Sequence, residues 1–251
     1  MYHLFTLIIL PILKVQSSCP LGYENLWSDV CIAQLGEASH FCTACEECAE
    51  YGARNGELAF LMGKEILRDF PPDLRHWTGF NRLLTQSMTS NGVWRDVDPR
   101  SSDYKIQSSE MSWRFGEPSN EPVVIFDGHP SGLEGTTMDQ DSNSPWVSCV
   151  FGGLLSDLRL SHRFRSDFPE PITNIIQTDD AYSGCFMEVQ SPTHIACARK
   201  CALNPHCRSI YFHAKDKRCI QMLYADALLP TGISPNQDGW KRSAKATVME
   251  N

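Results

Sequence analysis

The chain has 251 residues, 42% hydrophobic and 21% charged, a balance that excludes an unstructured polar chain and favours a packed, globular product. The net charge of −8 disfavours nucleic acid as a partner and is unevenly spread: Cys19 to Gly152 carries 20 acidic residues against 9 basic ones, Tyr182 to Asn251 9 basic against 5 acidic. The 11 cysteines read as the disulfide framework of an oxidising compartment, and their odd number leaves a thiol free or paired to another chain.

Residues 1–18, MYHLFTLIILPILKVQSS, read as a secretory signal peptide: an apolar run from Leu4 to Leu13 followed by small Ser17 and Ser18. The run is too short to cross a bilayer, and no later segment approaches a membrane span. A short hairpin over CPLGYENLWSDVC is closed by Cys19 and Cys31. The segment ASHFCTACEECAEYG predicts a helix with Ser39 at its N-cap and Gly52 near its end, and GKEILRDF a second helix stopped by Pro71 and Pro72. HWTGF, GVWRDV, VVIF and WVSCVF, separated by Gly, Asn, Asp, Ser and Pro, predict strands with long loops. Residues 153–180 hold no cysteine and contain SDFPEP, so an extended inter-domain linker is placed there. Beyond it, GCFMEV predicts a strand, HIACARKCAL a helix stopped at Asn204-Pro205, and CRSIYFHA with RCIQMLY a hairpin turning at KDK.

The first part resembles a C-type lectin-like domain. The resemblance rests on the CP-x-GY opening at Cys19, Leu58-Ala59, WTGF from Trp77, VWRDV from Val93, WRFGEPSN from Trp113 and the closing WVSC at Cys149. It implies pairing of Cys19 with Cys31 and of Cys48 with Cys149, with Val123, and a position near Ser142, standing where the family usually has a further bridge. The second part resembles a PAN/apple domain through CARKCALNPHCRSIYFHAKDKRC, which implies pairing of Cys197 with Cys219 and of Cys201 with Cys207. The expected fold class is therefore α+β in two disulfide-stabilised modules: a C-type lectin-like fold with two helices, antiparallel strands and long loops, and a PAN/apple fold with one helix on an antiparallel sheet. The expected division is residues 1–18 signal peptide, 19–152 lectin-like domain, 153–180 linker, 181–242 PAN/apple-like domain and 243–251 tail.

The lectin resemblance implies a calcium and carbohydrate site at Glu117, Ser119, Glu121 and Asp139, with Glu117 and Asp139 as the metal ligands. Calcium is a hard cation that wants six to eight oxygens. Ser119 stands in place of the usual Asn, and Met138 offers no oxygen, so Asp141 and Asn143 are candidate substitutes. Cys42, Cys45 and Cys185 have no family partner: Cys42 and Cys45 close locally, or Cys185 bonds one of them, or it links two chains as a dimer. Arg199, Lys200, Arg208, Lys215, Lys217 and Arg218 form a candidate patch for an anionic ligand, against the plainer reading of a solvated face. No catalytic motif is present, so an enzyme is not expected. The expected function is a secreted protein binding a glycan or glycoprotein through the lectin-like domain and its calcium site; the alternative is a calcium-independent module binding another protein on a lectin-like scaffold.

Overall fold

The structure is a computed structural model that describes residues 19–27, 30–68, 74–85, 92–128, 132–140, 143–156 and 160–249. The proposed signal peptide, Asp141, Ser142, and the end of the expected second helix with its stop at Pro71 and Pro72 lie outside the described residues.

In the first part, β1 (Glu24–Trp27) and β2 (Val30–Glu37) form a hairpin, and α1 (Phe41–Asn55) follows. The chain continues through β3 (Glu57–Leu61), a 3₁₀ turn at Lys64–Arg68, β4 (Arg75–Asn81), β5 (Val93–Arg95), β6 (Lys105–Gln107), β7 (Val123–Asp127), β8 (Leu133–Thr136) and β9 (Trp146–Leu154). These nine strands are one sheet, in which β9 pairs with β2, β3 and β4, and β7 joins β4 to β8. Strand β9 is central because Val147 and Cys149 have no exposed surface, and a strand buried in this way needs partners on both edges.

Helix α1 buries Phe41, Ala44, Cys45, Cys48, Ala49 and Gly52, the three-and-four spacing of one helical face. Its ends differ from the sequence expectation. The N-cap is His40, whose Nδ1 accepts from Cys42 N at 3.0 Å, and not Ser39. The chain leaves the helix at Gly56, where φ is 70°, a left-handed conformation that suits glycine, and Gly52 is interior. The segment expected as a second α-helix makes only the 3₁₀ turn Lys64–Arg68. There Lys64 N is taken up by Asp96 Oδ2 at 2.7 Å and Lys64 Nζ by Asp98, side-chain bonds that fix a turn without a helical ladder.

In the second part, β10 (Leu160–Arg165), β11 (Ile176–Gln177), β12 (Phe186–Gln190), α2 (His194–Ala202), β13 (Cys207–His213), β14 (Arg218–Leu223), β15 (Leu229–Pro230) and β16 (Trp240–Met249) follow. Five of these strands form a sheet in the order β10-β16-β13-β14-β12, and β11 pairs in parallel with β15.

The expected linker and tail are corrected by this sheet. Leu160–Arg165 is an edge strand in register with β16 from Leu160↔Met249 to Arg165↔Ala244. Phe164 packs against the core while Arg163 and Arg165 face out, and charged outer positions protect a sheet edge. Residues 243–249, expected as a tail, are the body of β16.

The two sheets also share a core. Trp77, Leu83 and Cys45 of the first part lie in one buried cluster with Ile176, Tyr211, Ile220, Met222, Ala227 and Leu229 of the second. Polar ties cross the same boundary: Tyr182 Oη donates to Asn120 O at 2.7 Å, Gln177 Nε2 to Thr85 O at 3.2 Å, and Arg95 pairs with Glu170 at 3.0 Å.

Candidate functional site

The loop from Trp113 to Glu121 is anchored at both ends. Trp113 Nε1 donates to Ser108 O at 2.6 Å, and Arg114 N to Leu133 O at 2.9 Å. At the other end, buried Arg82 donates from Nε to Glu121 O and from Nη2 to Ser119 O, both at 2.8 Å, while its guanidinium lies 4.8 Å from the Trp94 ring centre. Between these anchors Phe115 is fully exposed and the Glu117–Pro118 peptide is cis.

Glu117 turns inward. Its Oε2 accepts from Ser119 N at 2.5 Å and from Gly135 N at 3.0 Å. Gly135 is pressed so close that a Cβ there would lie 2.4 Å from Ser119 Oγ, a buried hydroxyl with no hydrogen-bond partner. The chain segment facing Glu117 is thus Glu134–Thr136 in β8, and not the neighbourhood of Asp139 that the lectin resemblance implied. Glu134 is itself engaged by Arg114 at 2.8 Å, and Arg114 also holds Asp127 at 3.1 Å.

Asp139 sits elsewhere, at the start of α1. It forms a backbone bridge with His40, and its Oδ1 is 3.7 Å from His40 Nε2. Thr137 Oγ1 donates to Asp139 O at 2.7 Å, and Met138, whose side chain is buried, accepts from Phe41 N through its carbonyl. Glu121 contributes its backbone oxygen to Arg82. Asn143, the described one of the two candidate substitutes, gives its carbonyl to Arg75 at 3.3 Å. The structure therefore brings Glu117 and Ser119 together and separates both from Asp139. Among the described residues no three His, Cys, Asp or Glu side chains converge as a metal site.

These residues do not fit the calcium that the resemblance implies. A cation needs converging oxygens, whereas the group facing Glu117 across the loop is an N–H donor on a residue without a side chain.

The cysteines are bonded as Cys19–Cys31, Cys48–Cys149, Cys197–Cys219 and Cys201–Cys207, and Cys42–Cys185 joins α1 to the second part. This resolves the alternatives left open for Cys42, Cys45 and Cys185. Cys45 keeps its thiol, buried beneath α1, and burial raises its pKa well above that of an ordinary thiol. A thiol so enclosed cannot reach another chain, so the leftover cysteine gives no support to a disulfide-linked dimer.

The proposed anionic patch is also divided. Arg199, Lys200, Lys215 and Lys217 are exposed, Lys200 Nζ donating to Gln190 O at 2.7 Å. Arg218 is paired with Glu188 at 2.7 Å and lies over Trp240. Arg208 is no part of a surface: it is 7% exposed and faces the first part of the chain. Around it lies a group of charges that the sequence did not mark, buried Arg95, Asp96 and Lys245 and partly buried Asp226. Asp96, deprived of solvent and near Glu65 and Asp98, has its pKa pushed up to about 7. Charged residues in RDVD and KRSAKA look like solvated positions, and nothing in the sequence pattern marks them as buried.

The class defined by this architecture is a disulfide-held pair of extracellular-type modules, a mixed sheet with one long helix joined to a five-stranded sheet with one short helix. Residues 177–239 match the family model of the PAN domain. Solved structures similar to the N-terminal part are C-type lectin-like folds. C-type lectin CEL-I from Cucumaria echinata is 14% identical with a TM-score of 0.39, over 55% of this chain and 99% of that one. A calcium-independent type II antifreeze protein is 15% identical with a TM-score of 0.37, over 53% and 93%. Human lithostathine is 16% identical with a TM-score of 0.32, over 57% and 95%. No curated protein sequence matches the chain.

Proposed function

We propose that this chain is an extracellular binding protein that recognises a protein partner without calcium. The observation that carries this reading is the hydrogen bond from Gly135 N to Glu117 Oε2: a backbone donor closes the loop where a cation would need an acceptor. The exposed ring of Phe115, on the same anchored loop, is the contact of choice, because an aromatic side chain offers large apolar area at low entropic cost. Five disulfides support an extracellular setting.

The test is a calorimetric titration of the purified protein with Ca²⁺, together with a thermal melt with and without chelator. The expected result is no saturable heat and no shift in melting temperature. Saturable binding with a raised melting temperature would overturn the reading. It would restore the alternative, carbohydrate recognition through calcium at Glu117, Ser119, Glu121 and Asp139, which requires Glu117 to release two N–H groups and Asp139 to leave His40.

A further inference from the structure

Between the two sheets lies a narrow cavity of about 10 Å³, room for one water-sized particle. Its walls hold three cations, Arg95 from β5, Arg208 from β13 and Lys245 from β16, and its half-buried rim is Ser102, Phe168 and Pro169. All three cationic side chains are at least nine-tenths buried, at 8%, 7% and 3% exposure.

Their charges are answered only in part. Arg208 makes no ion pair and no side-chain hydrogen bond among the described residues; burial lowers its pKa, outweighing Asp98, Asp226 and Asp96, which attract it without contact. Arg95 spends Nη2 on Glu170, but its Nη1 is buried with no partner. Lys245 Nζ reaches only neutral carbonyls, Asn204 O at 2.9 Å and Cys201 O at 3.4 Å. Burial and the nearby Arg208 depress the Lys245 pKa to about 7, the response of an ammonium that lacks a counter-charge.

Two carboxylates also line the cavity, and both are turned to other groups. Asp226 is held by Arg242 and by Ser209 Oγ, the latter at 2.6 Å. Asp96 accepts from Lys64 N at 2.7 Å and from Asp98 N at 3.1 Å. A buried charge that is only partly compensated is costly, and three partly compensated cations around one small space favour an anion there.

We propose that a monatomic anion, chloride or another halide, occupies this cavity and is held by Arg208, Arg95 Nη1 and Lys245. A water molecule could accept from two of these donors but would add no negative charge. Sulfate and phosphate are too large for a space of one water. Because the ligands come from both sheets, the anion fastens the two parts of the chain together, and its binding stabilises the folded state by mass action.

The experiment compares thermal melts of the whole protein in sodium chloride and sodium gluconate at one ionic strength, with sodium sulfate as a third arm. The expected result is a saturable rise in melting temperature with chloride, about 3–6 °C at a tenfold excess over Kd, and no saturable rise with the other two. Crystals grown in sodium bromide should show an anomalous peak between Arg95, Arg208 and Lys245. Arg208→Gln should abolish the chloride dependence, and Lys245→Met serves the same purpose if the first variant does not fold. Equal melting in chloride and gluconate, a saturable response to sulfate as large as that to chloride, or bromide found only on the outer surface would each overturn the proposal. The bromide measurement needs no variant.

Discussion

Helix α1 buries six residues along one face, against β3, β4 and β9, while the shorter α2 buries only Cys197 and Cys201. On α2 the large apolar residues Ile195 and Leu203 point outward, 79% and 77% exposed. Both helices are crossed by two bridges, yet those bridges do different work. Those of α1, Cys48–Cys149 and Cys42–Cys185, lie inside the large core shared by both sheets. Those of α2, Cys197–Cys219 and Cys201–Cys207, are most of the small cluster that holds it, completed by Ile210 and Phe212. Non-directional burial keeps one helix in place and covalent bonds keep the other, as expected where a small module cannot build a large core.

The sharpest test of that contrast is Phe41→Ala. Phe41 has no exposed surface and packs edge-on to Trp77, 6.0 Å between ring centres. Its loss should cost about 3–5 kcal/mol in a denaturant melt and destabilise both sheets together, because the core is common. Next comes the Cys197→Ser and Cys219→Ser pair, expected to cost about 2–5 kcal/mol and to release α2 while α1 stays protected from hydrogen exchange. Unchanged amide protection in α2 would break the comparison, since it would show the helix held by packing after all.

Much of this was legible in the sequence where a residue type has one dominant use. The aromatic runs WTGF and WVSC became strands, and the cysteine spacing of C-A-R-K-C marked α2. Legibility failed where one pattern fits two environments. Strand β13 is buried along nearly its whole length, so both faces are interior and the period of two is lost; Arg208 then reads as a surface residue. Strand β10 alternates as an edge strand should, but its SHRFR looks like linker until β16 is beside it. The lectin resemblance implies Asp139 as a ligand, whereas the partner that reaches Glu117 is the backbone of Gly135, which leaves no trace in side-chain chemistry.

A smaller effect tests the boundary between the parts. His206 is tucked against Tyr224, and burial, with help from Lys245 and Arg208, lowers its pKa to about 4. In the unfolded chain the imidazole titrates near 6.5. Between these values the unfolded state binds a proton that the folded state refuses, so this contribution makes stability rise with pH from about 4 to 6.5 and levels off above. Asp96 acts in the opposite sense, since its raised pKa lets the folded state hold a proton up to about pH 7. Melts from pH 4 to 7 should therefore show stability in His206→Gln rising less, or falling more, with pH than in the parent, by on the order of 1–2 kcal/mol across the window after allowance for partial exposure. An unaltered profile would mean that the boundary admits water to His206 freely.

The smallest effect separates local from global support in α2. Thr193 is its N-cap, with Oγ1 accepting from Ala196 N at 3.1 Å. Removing such a cap costs about 1 kcal/mol when the helix end contributes to the cooperative unit. In α2, Cys197 lies only a few residues further on and is bonded to β14, so fraying of the first turn is stopped by the bridge before it reaches the sheet. Thr193→Ala should consequently speed hydrogen exchange at Ala196 and its neighbours while shifting the global melting temperature little. In the background of the Cys197→Ser and Cys219→Ser pair, the same cap substitution should regain its full cost, because nothing then separates the helix end from the rest of α2. A cap effect of equal size in both backgrounds would show that the bridge does not bear the load assigned to it here.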